Sequence, residues 1–301
     1  MSCDQYYNDV VLLLNYEGMN GDTTTVDQSQ YAYTVSFLQP AATLVTSIGD
    51  PFSLGITVAY YNHVGATNPN TGMATVPISN GAPLDLSNIS TWTIECWVYV
   101  AYVSGADSPI FVFLGDGYTG GKFQLGATTS GSFPYIYATV GGATTGVINV
   151  PEYNAASGSL YNTWFHLAVV KMPDGSGGDE YQLYVNGVGQ GVGGGGGAIH
   201  GPYTSWAGSF VAGGVYNSSS SPPQSEQGTQ YQSCLRITSG IARYTANFTP
   251  PTAPFPPNDC VVRQTLYGIF APATATRGVM IPSSGLIEPR VWMPKENVTV
   301  R

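Results

Sequence analysis

The sequence is poor in charge. Only 9% of its residues are Asp, Glu, Lys or Arg, where soluble domains average about a quarter. Nine basic residues face eighteen acidic ones, for a net charge of -9, and the basic ones lie singly along the chain. With no basic stripe to meet phosphates, binding to nucleic acid is excluded as a working class. Apolar runs of about eighteen residues are missing, so no membrane-spanning helix is expected. Heptads of Ala, Glu, Lys, Leu and Arg are missing as well, which excludes a coiled coil. Four cysteines are present without any C-x-x-C spacing, so neither a zinc site nor a dithiol redox motif is expected. The opening residues, MSCDQYYNDV, do not read as a secretion signal. The expectation is a chain made in a cytoplasm, with Cys3, Cys96, Cys234 and Cys260 as free thiols. On the same ground the sequons at Asn88, Asn217, Asn247 and Asn297 are read as coincidental.

What the chain does have is core material and strand formers. Hydrophobic residues make up 43% and aromatics 12%, alongside 38 glycines and 21 prolines without a collagen period. Residues 10–16 (VVLLLNY) form a continuous apolar run suited to a strand buried on both faces. Residues 17–30 are polar and read as a loop. Shorter strands are expected near 33–38, 42–46, 54–61 and 75–78. The segment 91–100 (TWTIECWVYV) alternates at period two. It places Trp92, Ile94, Cys96, Val98 and Val100 on one face, and Thr93, Glu95, Trp97 and Tyr99 on the other. Glu95 is expected to be structural, bonded to a neighbouring strand.

Further strands are expected at 109–115, 121–127, 133–140, 146–150 and 163–171. The hairpin Tyr181–Val185, Asn186-Gly187, Val188 carries the strongest turn signal, because Asn-Gly supplies the positive φ angles of a type I′ turn. The glycine run 193–197 and the polar tract 217–230 read as loops. Helix is confined to one or two turns near 239–244. Many short strands at regular spacing predict an all-β sandwich or jelly roll.

The texture changes after Pro250. TPPTAPFPPND (249–259) is expected to hold the chain extended, away from the sandwich. Beyond it, Leu266, Tyr267, Phe270, Ile287 and Trp292 belong to an apolar set too small for a core. The chain is therefore divided into a sandwich, 1–255, and an extended C-terminal docking arm, 256–301.

Residues 235–254 (LRITSGIARYTANFTPPTAP) resemble the closing strand of laminin-G-like, concanavalin A-like domains found in tailed-bacteriophage structural proteins. Earlier segments agree in order: NDVVLLLNYEGMNGDTTTVDQS (8–29), the E-x-W strand within 73–100, TWFHLAVVK (163–171), YQLYVNGV (181–188) and FVAGG (210–214). The resemblance covers roughly 8–255. It implies two antiparallel sheets stacked face to face, often with a sugar or calcium site in loops at one edge, and it does not imply catalysis.

A hydrolase on such a fold needs two carboxylates facing one cleft. The E-x-D-x-x-E of the laminarinase-type relatives is absent, since Glu95 is followed by Trp97 and Val98. His63, His166 and His200 have no local nucleophile motif around them, and His166, Trp164 and Trp97 read as packing. No cofactor is expected, with calcium the one candidate. Glu17, Asn20, Asp22 and Asp27 could supply its oxygens, or could instead bond their own turn. The resemblance places acids at Glu17 and Asp27, yet Ser233-Cys234 replaces the acidic pair usual before L-R-I. Glycan candidates are the loop aromatics Tyr60, Tyr61, Tyr118, Tyr203, Trp206 and Tyr216.

The expected role is a non-enzymatic phage virion protein, made in the host cytoplasm, that displays a lectin-like sandwich for attachment to host-surface glycans. It would join other virion proteins through the arm, as a homo-oligomer such as a trimer. The alternatives are a capsid decoration protein without glycan binding and, less favoured, a polysaccharide hydrolase.

Overall fold

Strand alternation sets the architecture in the computed structural model, which describes residues 3–38, 42–62, 72–79, 81–101, 109–115, 123–128, 135–140, 160–190, 208–215, 229–258 and 260. The first strands are β1 (Val10–Leu14), β2 (Thr24–Val26), β3 (Thr34–Phe37), β4 (Ala42–Val45), β5 (Val58–Asn62) and β6 (Ala74–Ile78). The long strand β7 (Trp92–Ala101) is followed by β8 (Ile110–Gly115), β9 (Phe123–Thr128) and β10 (Tyr135–Val140). The chain continues through β11 (Trp164–Pro173), β12 (Asp179–Val185), β13 (Val188–Gln190), β14 (Gly208–Ala212) and β15 (Thr229–Ser239). Helix among the described residues is limited to two 3-10 turns, Tyr7–Asp9 and Leu86–Asn88, and none is long or apolar enough to cross a membrane.

All pairings between these strands are antiparallel. The larger sheet has eight strands, in the order β13-β12-β11-β7-β15-β5-β4, with β1 also paired to β15. The second sheet has seven, β10-β9-β8-β14-β6-β3-β2. The result is the expected jelly-roll-like sandwich. The chain divides into two units, Met1–Val261 and Val262–Arg301, and the described residues belong to the first. Leu266, Tyr267, Phe270, Ile287, Trp292 and the expected strand 146–150 lie outside the described residues.

The core fills the space between the sheets. On β7, Trp92, Ile94, Cys96, Val98 and Val100 all point inward and are fully buried. Trp92 meets Phe123 edge-on at 5.3 Å, and Phe111 meets Phe165 at 6.3 Å. Polar side chains also cross the gap. Gln230 and Gln232 donate to the β8 carbonyls of Ile110 and Phe111 at 2.9 and 2.6 Å. Unpaired, those buried groups would each cost about 1–3 kcal/mol. The Asn-Gly hairpin forms as expected, with φ of 49° at Asn186 and 78° at Gly187.

Four expectations need correction. First, Thr24–Val26 is a strand inside the stretch read as loop, because β2 pairs with β3 along Thr24–Ser36 to Val26–Thr34. Second, the closing strand runs 229–239, not 235–249. It starts inside the polar tract and stops at Gly240, whose φ of 79° breaks the ladder, and no helical turn follows at 239–244.

Third, the proline-rich stretch does not leave the sandwich. Phe255 is buried among Val10, Leu13 and Cys234, and its backbone exchanges two hydrogen bonds with the Asn15 side chain at 2.9 and 3.2 Å. Proline holds this segment extended, but phenylalanine nails it down. Fourth, Cys3 and Cys260 form a disulfide, so only Cys96 and Cys234 are free, both buried. Burial raises the Cys96 thiol, and pushes that of Cys234 up to about 12. The pairing was invisible in the spacing because its partners lie 257 residues apart.

Candidate binding face and the ion-pair network beside it

The outer face of the larger sheet holds two unlike regions. One is a closed network of charges. Antiparallel register puts Glu95 of β7 opposite Ala168 of β11 and Arg236 of β15. A bulge makes the second pairing useful. Between Ser233↔Trp97 and Arg236↔Glu95, β15 has one more residue than β7, and Cys234 sits there at a φ of 53°. An extra residue switches which side chains face outward. Leu235 therefore joins the core, and Arg236 turns out toward Glu95.

Arg236 donates to Glu95 Oε1 through Nε at 2.9 Å and through Nη2 at 2.7 Å. Tyr244 donates to Oε2 at 2.7 Å, and His166 Nε2 stands 3.3 Å from the same oxygen. Asp4 completes the set, bridging Arg236 at 2.8 Å and Arg243 at 3.0 and 2.8 Å. Burial alone would raise the Glu95 carboxyl, but the Arg236 charge, the His166 contact and Arg243 outweigh it and hold it well below the carboxylate range. Asp4 is lowered too: its burial is outweighed by the Arg243 hydrogen bond and the charges of both arginines. Two acids and two arginines balance, and each carboxylate is fully engaged.

The segment after β15 closes over this network. Thr93 Oγ1 donates to the Ile241 carbonyl at 2.9 Å and accepts from the Arg243 N–H at 3.0 Å. Phe248 stacks on Tyr244, edges against His166 at 5.7 Å, and donates its N–H to the Gly187 carbonyl at 2.9 Å. Gly187 must lack a side chain, because a Cβ there would lie 1.9 Å from the Phe248 carbonyl oxygen. The chain then returns to Phe255, whose ring lies under the Arg236 guanidinium at 3.9 Å. Asn258, Cys260 and the N-terminal Asp4 are tied together by two backbone hydrogen bonds, at 2.9 and 3.3 Å, beside the disulfide. A cavity of about 410 Å³ remains between Cys3, Asp4, Tyr6, Arg243, Tyr244 and Cys260.

The second region is a row of rings. Register aligns Thr43 of β4 with Tyr60 of β5, Tyr60 with Tyr231 of β15, Tyr231 with Tyr99 of β7, and Tyr99 with Trp164 of β11. Four aromatic side chains on four adjacent strands thus form one row, with successive centroids 5.0, 5.5 and 5.6 Å apart. All four are half-buried. A second, polar line lies beside it, where Thr229 donates to Asn62 at 3.3 Å. The ring contacts of the closing segment reach His166, the next outward position on β11 after Trp164, and go no further along the row among the described residues.

Of the glycan candidates, Tyr60 belongs to this row. Tyr61 does not. Neighbouring residues of a strand point to opposite faces, so Tyr61 is fully buried, its ring against Gly213 and its hydroxyl 3.3 Å from that of Tyr16. Burial raises its hydroxyl pKa. Tyr118, Tyr203, Trp206 and Tyr216 lie outside the described residues. Tyr99, Tyr231 and Trp164 went unnoticed as site residues, because a row formed by register cannot be seen along any single strand. The outward parity of Tyr99 was the available signal.

The calcium candidates serve the backbone. Asp27 is buried and accepts from the N–H groups of Leu13, Ser29 and Tyr33 and from the Ser29 hydroxyl, at 2.8 to 3.0 Å. Asp22 accepts from Met19 N–H at 2.7 Å, and Asn20 from Thr46 N–H at 3.1 Å. Glu17 is exposed. Among the described residues no group of three or more His, Cys, Asp or Glu side chains is placed to hold a metal. The donor set fits turn-capping, not a cation cage.

Residues 70–223, just over half of the chain, match the family model of the concanavalin A-like lectin/glucanases superfamily, laminin G type. The chain belongs to this superfamily. No curated protein sequence matches it. Among solved structures, a mutant of HCR D/C VPI 5995 superposes with a TM-score of 0.51 at 14% identity, covering 77% of this chain and 49% of that one. The binding domain of botulinum neurotoxin DC, solved in complex with rat synaptotagmin II, gives 0.50 at 14% identity, covering 77% and 48%. The chain spans about half the length of each, and the likeness is one of fold.

Proposed function

We propose that this superfamily member is a non-enzymatic, carbohydrate-binding sandwich displayed on a tailed-phage virion for attachment to host-surface glycans. The observation that carries it is the row Tyr60, Tyr231, Tyr99 and Trp164, presented outward by four adjacent strands. Sugars are held by aromatic faces with polar groups alongside, and Thr43, Asn62 and Thr229 supply the polar edge. The fold it shares with a neurotoxin binding domain is compatible with recognition. The resemblance of residues 235–254 to phage structural proteins supports the virion setting. So does the Cys3–Cys260 disulfide, which suits a protein that works outside a reducing cytoplasm. Binding is favoured over hydrolysis because Glu95 and Asp4 are both engaged by arginine and are held charged within a closed network.

Residues 262–301 act as the attachment arm in this reading, joining the sandwich to other virion proteins or to sister copies. The full chain is expected to bind intact host cells and their purified surface polysaccharide in a pull-down assay. Absence of binding to every surface glycan tested, with normal incorporation into particles, would replace this reading with capsid decoration.

A further inference from the structure

The row has a geometry that specifies more than sugar binding in general. We infer that it reads a neutral, extended glycan laid across the strands, one sugar per ring, rather than a compact terminal sugar. This rests on the carbohydrate-binding reading above. Neighbouring strands are about 4.8 Å apart, close to the length that one pyranose adds to an extended, equatorially linked chain. The ring centroids follow that spacing, at 5.0 to 5.6 Å. A ligand running along a strand leaves the row after one ring, because the next outward rings are already engaged: Trp97 of β7 packs against Phe52 and His166, and His166 of β11 packs against Phe248. A ligand running across them meets four in succession.

The ends of the row are defined. Thr43 lies on β4, which ends the larger sheet on that side. Trp164 opens β11, and β12 pairs with β11 only from Leu167 onward. The row and its neighbours, Thr43, Asn62, Thr229 and Ala101, carry no charge. The charged side chains Glu95, Arg236, Arg243 and Asp4 neutralise one another under the closing segment. A uronic or sialic acid polymer would find no counter-charge in the row, whereas a neutral polymer loses nothing there.

The test is calorimetric titration of the full chain with N-acetylated chito-oligosaccharides and cello-oligosaccharides, from disaccharide to hexasaccharide, with oligogalacturonates as the anionic comparison. Affinity is expected to rise with each added sugar and to level off at the tetrasaccharide, with oligogalacturonates at least about tenfold weaker. Tyr231→Ala, at the centre, should weaken tetrasaccharide binding about tenfold or more. Tyr231→Phe, which keeps the ring, should bind within about twofold of the parent. Trp164→Ala, at one end, should move the plateau to the trisaccharide. Circular dichroism checks that each variant is folded.

Binding by the parent that ignores both alanine variants overturns the row as the site and leaves the carbohydrate reading standing. So does binding confined to anionic oligomers or insensitive to length. If the chain binds neither these oligomers nor any host polysaccharide, the carbohydrate reading itself falls.

Discussion

Two halves of one sheet face use similar residues for opposite ends. In one half, aromatic and charged side chains from β7, β11 and β15 are covered by the segment after β15, and the carboxylates of Glu95 and Asp4 are bonded by Arg236, Arg243 and Tyr244. In the other half, Tyr60, Tyr231, Tyr99 and Trp164 touch mainly one another among the described residues and are half-buried. Many of the residues in the recognisable segments fall in the first half. Glu95 of the E-x-W strand, His166 of TWFH, Asn186-Gly187 of the hairpin, and Arg236, Arg243, Tyr244 and Phe248 of the closing segment all converge there. These residues mark how the sandwich is shut, whereas Tyr99 and Trp164, on two of the same strands, belong to the row. The residues offered to a ligand are chosen elsewhere, by register.

The largest effect is expected on breaking the network. Glu95→Gln leaves Arg236 buried beside a neutral amide, and removing one partner of a buried pair costs about 3–5 kcal/mol. Urea denaturation should show that loss, while the affinity of the folded fraction for a glycan is unchanged. Phe255→Ala is expected to cost a similar amount, about 3–5 kcal/mol, because it opens a cavity beneath Arg236 and frees the return of the closing segment. Little change would mean that the segment is held by its backbone alone.

Next comes the disulfide. Cys3→Ser should lower stability by about 2–4 kcal/mol, and thiol titration of the parent in denaturant should count two free cysteines, not four. For the same reason, truncation after residue 261 should leave a firmer sandwich than truncation after 255, which removes Cys260 and the Asn258 carbonyl.

Acid sharpens the contrast further. Glu95 and Asp4 have folded-state pKa values below their ordinary ones. Their contribution is complete above the ordinary carboxylate range, about pH 4, and is lost as pH falls through the lower folded values. Stability should therefore be level above about pH 5 and decline below about pH 4, with a shallower decline in Glu95→Gln. The smallest effect on folding belongs to the row. Tyr231→Ala removes a half-buried ring and should cost only about 1 kcal/mol in denaturation.

Much of the sandwich could be read along the chain. The alternation of 91–100 separated Trp92 and Ile94 from Glu95 and Tyr99, and Asn186-Gly187 fixed the hairpin. Glu95 and His166 were recognised as structural from their place on strands. What could not be read depends on distance or on parity. The bulge at Cys234, where a non-glycine residue takes a positive φ, has no local signature, yet it decides that Arg236 meets Glu95. The disulfide joins residues at opposite ends of the chain. Phe255 looked like part of an arm because prolines flank it, and its hydrogen-bonded partner Asn15 lies 240 positions away. Tyr61 was grouped with Tyr60 by adjacency, although the pleat sends the two to opposite faces.

The division of labour between the two halves can be measured in one paired experiment: chito-tetraose affinity and urea stability, determined side by side for Glu95→Gln and Tyr231→Ala. Glu95→Gln is expected to lose several kcal/mol of stability and keep parent affinity, while Tyr231→Ala loses only about 1 kcal/mol and binds about tenfold more weakly. The reverse pattern, with affinity lost in Glu95→Gln and retained in Tyr231→Ala, would place recognition in the network and contradict the account.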